Sequence, residues 1–145
     1  MSTPSDLLPV SIVIRSYRRI PATCELVAAV LAQRYDRFEI VIVEQTADAP
    51  PEEKARLQAF AADPRVRILW SGPLGPSGAR NVGWQAARYD LVLFMDDDDL
   101  PIGQDWITGH AENYRDPSVV GVSGREVNRV GERCNYGLRW LARAW

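Results

Sequence analysis

The strongest constraint on the fold is a regular alternation of short apolar segments with segments of helical periodicity. Four apolar runs predict buried strands at residues 10–14, 38–43, 66–70 and 91–95, and a fifth candidate covers residues 119–122. Helices are predicted at residues 22–34, 51–61, 79–88 and 102–114, and a Gly/Pro/Ser loop at 72–78. Continuous apolar strands alternating with helices predict a mostly parallel sheet covered on both faces. We therefore expect an α/β protein, built as a three-layer α/β/α sandwich.

The length and charge of the chain limit its organisation and its partners. A chain of 145 residues is predicted to form one domain, residues 1–145. Its 17 basic and 19 acidic residues give a net charge of -2, which does not favour binding of nucleic acid or of a membrane surface. Neither a signal peptide nor a transmembrane segment is predicted. Cys24 and Cys134 have no paired spacing, so a reducing cytoplasm is the expected location.

Polar residues follow every predicted strand at the end where parallel sheets bind ligands. They comprise residues 15–19, then Glu44, Gln45 and Thr46, then the 72–78 loop, and finally residues 96–99. The carboxyl ends of parallel strands share one edge of a sheet, and ligands bind beyond that edge. A tyrosine, several arginines and a carboxylate cluster there suit a nucleobase, a phosphate chain and a metal ion.

Four consecutive aspartates, residues 96–99, follow the fourth apolar run directly. Like charges at the end of a buried strand repel one another, and a bound cation would relieve that repulsion. The alternative is a solvated acidic turn that only ends the strand. Oxygen ligands of this kind suit Mg²⁺ or Mn²⁺.

Four segments in order resemble the family 2 glycosyltransferases, which have the GT-A nucleotide-sugar fold. SIVIRSYRR resembles the first strand and turn of that family, and FEIVIVEQTAD its Val-Asp-Asp-Gly-Ser segment. GPSGARNVGWQAA resembles its Gly-Ala-Arg-Asn helix, and DLVLFMDDDDLP its Asp-x-Asp strand end. The resemblance implies a Rossmann-like GT-A fold that transfers a sugar, assisted by a metal, from a nucleotide diphosphate to an acceptor hydroxyl.

The resemblance also implies roles for individual residues. Asp96 and Asp98 correspond to the Asp-x-Asp pair that holds Mn²⁺ or Mg²⁺, with Asp98 as the direct ligand and Asp97 near the ribose. Arg80 beside the glycine-rich loop suits a phosphate. The implied donor-binding residues are Arg15, Ser16, Tyr17, Glu44, Gln45, Arg80, Asp96 and Asp97.

The predicted base pocket departs from the family pattern. Arg15 and Arg18 replace the usual Pro and Asn of the first turn, and Glu44 and Gln45 replace paired aspartates. Glu and Gln can each accept a hydrogen bond from the imide N–H of uracil or thymine, and a purine stays an alternative. UDP-, dTDP- and GDP-sugars are accordingly the candidate donors, with a saccharide or a lipid-linked acceptor.

The end of the sequence leaves the catalytic base unassigned. The chain ends at Trp145, about where the acceptor-binding half of the family begins, so we expect a truncated GT-A fold with residues 125–145 starting an incomplete acceptor-side region. Asp99, Glu126 and Glu132 are candidates for the base, and the sole histidine, His110, is expected to be structural.

Three alternatives stay open at this point. The chain is a transferase, a degenerate domain that binds nucleotide sugars without transferring them, or a phosphotransferase of the haloacid-dehalogenase type, because an Asp-x-Asp after an apolar strand also occurs there. A homo-oligomer is compatible with each of them.

Overall fold

The computed structural model describes residues 6–125 and residue 127. Its strands are β1 (Val10–Ser16), β2 (Phe38–Glu44), β3 (Val66–Trp70) and β4 (Leu91–Asp96). Its helices are α1 (Ile20–Leu31), α2 (Pro51–Ala59), α3 (Gly75–Ala86) and α4 (Trp106–Ala111), with short 3₁₀ turns at Phe60–Ala62 and Glu112–Arg115. The predicted alternation of strands and helices is confirmed.

The four strands form one parallel sheet in the order β3-β2-β1-β4. β1 lies between β2 and β4, with Ser16 opposite Glu44 and Arg15 opposite Asp96. In the same register Glu44 lies opposite Trp70 of β3. The polar strand ends therefore meet at one edge of the sheet, as the sequence predicted.

Helices cover both faces of the sheet. Alternate strand residues point to opposite faces, and Ile12, Ile14 and Ile40 belong to a buried cluster that also contains residues of α1, α2 and α4. On the other face α3 packs so closely that a Cβ added to Gly83 would lie 2.3 Å from Cγ1 of Val13. Burial on both faces explains the continuous apolar runs of the central strands β1 and β2, and helices on both faces confirm the three-layer architecture.

Several predicted boundaries differ from the observed ones. β1, β2 and β4 extend past their apolar runs into Ser16, Glu44 and Asp96, because ladder pairing continues through these polar residues. Helix α3 begins at Gly75, inside the predicted loop, since Gly75 adopts φ of 71° and Pro76 then fits the first turn.

The structure differs most from the predicted elements after β4. The predicted fifth strand at 119–122 is wrong: this segment has no regular structure, and Val120 is 97% exposed rather than packed against the sheet. The predicted helix at 102–114 is shortened to α4 and its 3₁₀ turn. Apart from Arg125 and Val127, the proposed acceptor-side region lies outside the described residues, as do Glu126 and Glu132. Over the part of the chain that is described, no helix combines the length and the apolar character needed to cross a bilayer.

Candidate functional site

Asp96 is held between two arginines at the carboxyl edge of the sheet. The β1–β4 register places Arg15 beside it, with Arg15 Nε 2.8 Å from Asp96 Oδ1, and Arg80 of α3 reaches the same oxygen at 2.7 Å. Burial would raise the pKa of Asp96, but the hydrogen bonds and charges of the two guanidinium groups outweigh it and hold the pKa below its ordinary value. Asp96 is therefore an ionised carboxylate whose charge is offset by this chain's own cations.

Asp97 connects the acidic run to the first turn. Its side chain is buried, and Oδ2 accepts a hydrogen bond of 3.2 Å from the backbone N–H of Tyr17. Burial raises the pKa of Asp97, and the charge of Asp98 adds to that effect, while Tyr17 and Arg19 oppose it. The side chain fixes the turn that carries Tyr17.

Asp98 faces solvent and pairs with Arg19. Its side chain is 56% exposed, and Oδ2 accepts a hydrogen bond from Nη1 of Arg19, which is also more than half exposed. An exposed pair of this kind contributes little to stability, so the carboxylate can exchange its partner at small cost. Asp99 continues the turn through a backbone N–H that donates to the Asp96 carbonyl at 3.2 Å.

Glu44 and Ser16 lie beneath the site rather than on its surface. Ser16 Oγ donates to Glu44 Oε2, and the backbone N–H of Thr46 donates to Glu44 Oε1 at 2.7 Å. Ser16 Oγ also lies 2.7 Å from the Thr23 hydroxyl. Both Glu44 and Ser16 are fully buried. Their contacts join the ends of β1 and β2 to the start of α1.

A small cavity opens where β1, β2 and the loop before α3 meet. It measures about 230 Å³ and is lined by Arg15, Tyr17, Gln45, Pro73, Gly75 and Pro76. Gln45 Oε1 accepts a hydrogen bond of 2.8 Å from the Leu74 N–H, which ties the loop to β2. This cavity brings the predicted Arg15, Tyr17 and Gln45 together.

Tyr17 presents an aromatic ring beside this cavity. Tyr17 is 42% exposed, and the Arg18 guanidinium carbon lies 5.3 Å from the centroid of its ring. Arg18 adopts φ of 56°, a left-handed conformation that costs a non-glycine residue free energy, and its N–H donates to Thr46 Oγ1. The turn is therefore held in an uncommon backbone conformation next to the cavity.

A second, larger cavity of about 420 Å³ lies between the ends of β2 and β3. Its lining includes Thr46, Lys54 and Trp70. Its lining contains none of Arg15, Tyr17 and Gln45, which line the smaller cavity. The chemistry that the sequence predicted is thus associated with the smaller cavity.

The acidic run supplies few ligands to a metal ion by itself. Within residues 6–125 and 127, no three His, Cys, Asp or Glu side chains are grouped to hold a metal. Asp96 is engaged by two arginines, whereas the Asp98 carboxylate is at the surface. Carboxylate oxygens suit Mg²⁺ or Mn²⁺, ions that normally complete their coordination with water and substrate phosphates. The donor set fits a metal that arrives together with a diphosphate.

Arg19 and Leu74 make contacts at this edge that the sequence did not predict. Arg19 pairs with Asp98, which is 79 residues away along the chain, and the Leu74 N–H orients Gln45. Arg19 lies within the predicted polar turn, so its position was available from the sequence. Its partner was not, because that depends on the β1–β4 pairing.

Comparison with known proteins identifies the family. A sequence profile of Glycosyl transferase family 2 matches residues 11–144. The chain belongs to glycosyl transferase family 2. Membership in family 2 does not support the haloacid-dehalogenase alternative.

Two bacterial relatives illustrate the similarity within family 2. The glycosyltransferase YwdF of Bacillus subtilis is 33% identical over 105 residues, which covers 72% of this chain and 36% of YwdF. The succinoglycan biosynthesis protein ExoO of Rhizobium meliloti is 36% identical over 103 residues, covering 68% of this chain and 28% of ExoO. The chain spans between 13% and 36% of the length of the curated relatives it matches.

Solved structures show the same fold. Mannosyltransferase PcManGT from Pyrobaculum calidifontis, in complex with GDP-Man and Mn²⁺, superimposes with a TM-score of 0.72 at 21% identity, covering 82% of this chain and 36% of that protein. S. aureus TarS residues 1–349, in complex with UDP-GlcNAc, gives a TM-score of 0.63 at 22% identity, with coverage of 84% and 37%. These similarities establish the GT-A fold for this member of family 2.

Proposed function

We propose that this chain binds a nucleotide-diphosphate sugar and contributes to metal-assisted transfer of the sugar to an acceptor hydroxyl. The observation that carries the proposal is the convergence of Arg80, Asp96 and Asp98 with the Tyr17 cavity at one edge of the sheet. An aromatic ring, a fixed guanidinium and surface carboxylates match the three parts of such a donor: base, diphosphate and metal.

In this proposal the nucleobase enters the small cavity and stacks on Tyr17, while Arg80 faces the diphosphate. Arg80 is already oriented by Asp96, so little side-chain freedom is lost when a phosphate binds. Glu44 and Ser16 do not contact the donor in this proposal, because their side-chain oxygens form hydrogen bonds within the protein. They stabilise the ends of β1 and β2 beneath the site. Asp97 fixes the Tyr17 backbone and is the side chain nearest the ribose in the resemblance.

Asp98, with Asp96 as the second Asp-x-Asp carboxylate, would hold Mn²⁺ or Mg²⁺ together with diphosphate oxygens. A divalent ion there would offset the negative charge that develops on the departing nucleoside diphosphate. Asp98 must first leave Arg19, and both side chains are exposed enough to separate. Arg19 is then available to the diphosphate as a further cation.

The comparisons lend support to a nucleotide-sugar donor and leave its base open. One structural neighbour is in complex with GDP-Man and Mn²⁺ and another with UDP-GlcNAc. The relative ExoO is named for succinoglycan biosynthesis, which favours a saccharide or a lipid-linked saccharide as acceptor. Asp99 is the described candidate for the catalytic base. A cytoplasmic location is part of the proposal, in keeping with the buried free thiol of Cys24.

The test is a thermal-shift series with nucleoside diphosphates and their sugars, with and without Mn²⁺, followed by a donor-hydrolysis assay. A ligand that binds only the native state raises the melting temperature. We expect a nucleotide-sugar to raise it, Mn²⁺ to increase the shift, and Asp98→Asn to remove that increase. Asp105→Asn is the matched control, because Asp105 also forms an exposed pair with an arginine, Arg34.

Three outcomes separate the alternatives. Binding together with release of free sugar supports the transferase, because water can replace the acceptor. Binding without any turnover supports the binding-only alternative. If no nucleotide or nucleotide-sugar raises the melting temperature, the proposal is contradicted.

A further inference from the structure

The small cavity is smaller than a pocket that encloses a whole ligand. Its volume of about 230 Å³ is below the roughly 300 to 1,000 Å³ typical of pockets that enclose a whole small-molecule ligand. Tyr17 contributes an aromatic side chain, and the opposite residues are Pro73 from the loop and Gly75 and Pro76 from the first turn of α3. A role for this cavity in selecting the base rests on the proposed function, namely that the nucleobase of the donor binds here.

Gln45 presents a hydrogen-bond donor to this cavity. The Leu74 backbone N–H lies 2.8 Å from the side-chain atom Oε1. A backbone N–H can only donate, so the atom that faces it must be the amide oxygen and not the nitrogen. The Nε2 amide group, whose hydrogens have no partner in the described part of the chain, is thus left for a ligand.

Arg15 adds further donors. Its Nε donates to Asp96, which fixes the plane of the guanidinium group, and the hydrogen bond raises the pKa of Arg15 above its ordinary value. Its two terminal amino groups make no hydrogen bond to any residue in 6–125 or to residue 127. A planar guanidinium held at one nitrogen has a preset orientation for a bidentate contact.

The carboxylate expected to accept a hydrogen bond from a pyrimidine is occupied elsewhere. Glu44 is fully buried, and its two oxygens accept from Ser16 and Thr46. No residue that lines the cavity is an aspartate or a glutamate. Gln45 therefore offers a donor where the family pattern has an aspartate, and Arg15 adds donors where that pattern has a proline.

We propose that this cavity selects guanine, and that the donor is a GDP-sugar, with Arg15 and Gln45 as the residues that determine specificity. Guanine presents two adjacent acceptors, O6 and N7, and arginine binds both with its fork. Adenine places an amino donor beside N7, which would face the donors of Arg15. Uracil and thymine place an N–H between their two carbonyl groups, and that N–H would lack a carboxylate acceptor.

The first experiment uses the unmodified protein and no metal. Titration calorimetry compares GDP, UDP, ADP and 7-deaza-GDP, in which carbon replaces the N7 acceptor. We expect GDP to bind roughly tenfold to a hundredfold more tightly than UDP or ADP, the range given by one bidentate base contact. We expect 7-deaza-GDP to bind roughly tenfold more weakly than GDP.

The outcomes distinguish this inference from the proposed function. Binding of UDP as tight as that of GDP, or of 7-deaza-GDP equal to GDP, overturns guanine selection and leaves nucleotide binding intact. If no nucleoside diphosphate binds, both fail.

Variants give a second test in which the measured quantity is the ratio of GDP to UDP affinity. Arg15→Lys keeps the positive charge beside Asp96 but loses the planar guanidinium that can donate two parallel hydrogen bonds, so it should lower this ratio roughly tenfold. Gln45→Glu replaces the Nε2 donor with an acceptor and should also shift the ratio toward UDP. Arg80→Lys is the control: Arg80 binds the same Asp96 oxygen but does not line the cavity, so GDP and UDP should weaken equally. An unchanged ratio in Arg15→Lys contradicts the proposal.

Discussion

Arg15 Nε and Asp96 Oδ1 lie 2.8 Å apart although the two residues are separated by 81 positions in the sequence. The ion pair joins the ends of β1 and β4 at the edge where the site forms. It is also the contact that fixes the Arg15 guanidinium, which lines the small cavity. One ion pair thus connects the acidic run to the cavity that we propose receives the base.

Asp97→Asn should stabilise the folded protein at neutral pH. Burial raises the pKa of Asp97 in the folded state above its unfolded value of about 3.9. Between these two pKa values the folded state binds more protons, so stability falls as the pH rises through this window and stays lower above it. Asparagine has no charge to desolvate and keeps an oxygen for the Tyr17 N–H. Melting temperatures should be higher for Asp97→Asn at pH 7, and the difference should shrink as the pH approaches 4.

Asp96→Asn is the matched control and should act in the opposite direction. Two arginines hold the pKa of Asp96 below its unfolded value. Its stabilising contribution is therefore present above the unfolded pKa and is lost as the pH falls through the folded pKa. Asp96→Asn should melt at a lower temperature than the parent at pH 7, and the difference between the two melting temperatures should shrink at acidic pH. The same direction of change in both variants would contradict the assigned environments.

Metal and nucleotide binding should be coupled through Asp98. The factor by which Mn²⁺ tightens nucleoside diphosphate binding must equal the factor by which the nucleotide tightens Mn²⁺ binding. Asp98→Asn should remove most of this coupling and leave metal-free nucleotide binding nearly unchanged, while Asp99→Asn should do much less. Titration calorimetry measures both factors. Absence of coupling in the parent would mean that the four aspartates form a solvated turn.

Tyr17→Ala should weaken nucleoside diphosphate binding by about 1 to 3 kcal/mol, the scale of stacking between a base and an aromatic side chain. Tyr17→Phe retains the ring face and should bind nearly as well as the parent. Titration of GDP against the three proteins is the measurement. Equal losses in Ala and Phe would assign the effect to the hydroxyl group instead of the ring.

Gly83→Ala should destabilise the fold because helix α3 lies directly on the sheet at this position. The added methyl group would meet Val13 Cγ1 at 2.3 Å and Val43 Cγ2 at 3.3 Å. Overpacking of a buried contact costs about 1 to 3 kcal/mol. Gly109→Ala in α4 is the control, since no atom lies within 4 Å of its Cβ position and alanine favours helices by about 0.5 to 1 kcal/mol. Denaturant unfolding should move in opposite directions for the two variants.

Sequence pattern alone was sufficient for the layers of the fold and for the polar edge. Four apolar runs separated by helical segments allow few arrangements other than a parallel sheet covered on both faces, and parallel strands bring their carboxyl ends together. The family resemblance rested on local segments such as GPSGARNVGWQAA. In the structure this segment forms α3, and its Gly83 allows the helix to pack tightly against the sheet. Residues 119–122 show the limit, because an apolar run becomes a strand only when a neighbouring strand pairs with it.

Only the tertiary structure decided which side chains of the site line the small cavity and which are buried beneath it. Glu44 and Gln45 are adjacent in sequence and were equivalent as acceptors, yet Glu44 is the last residue of β2 and Gln45 is the first residue after it. Glu44 is turned inward to Ser16 and Thr46, whereas Gln45 lines the cavity with its oxygen bound to Leu74. The partners of Asp96, Asp97 and Asp98 are likewise set by the pairing of β1 with β4 and by α3. Charge and residue type are properties of the sequence, but the direction of a hydrogen bond depends on contacts between segments that are distant along the chain.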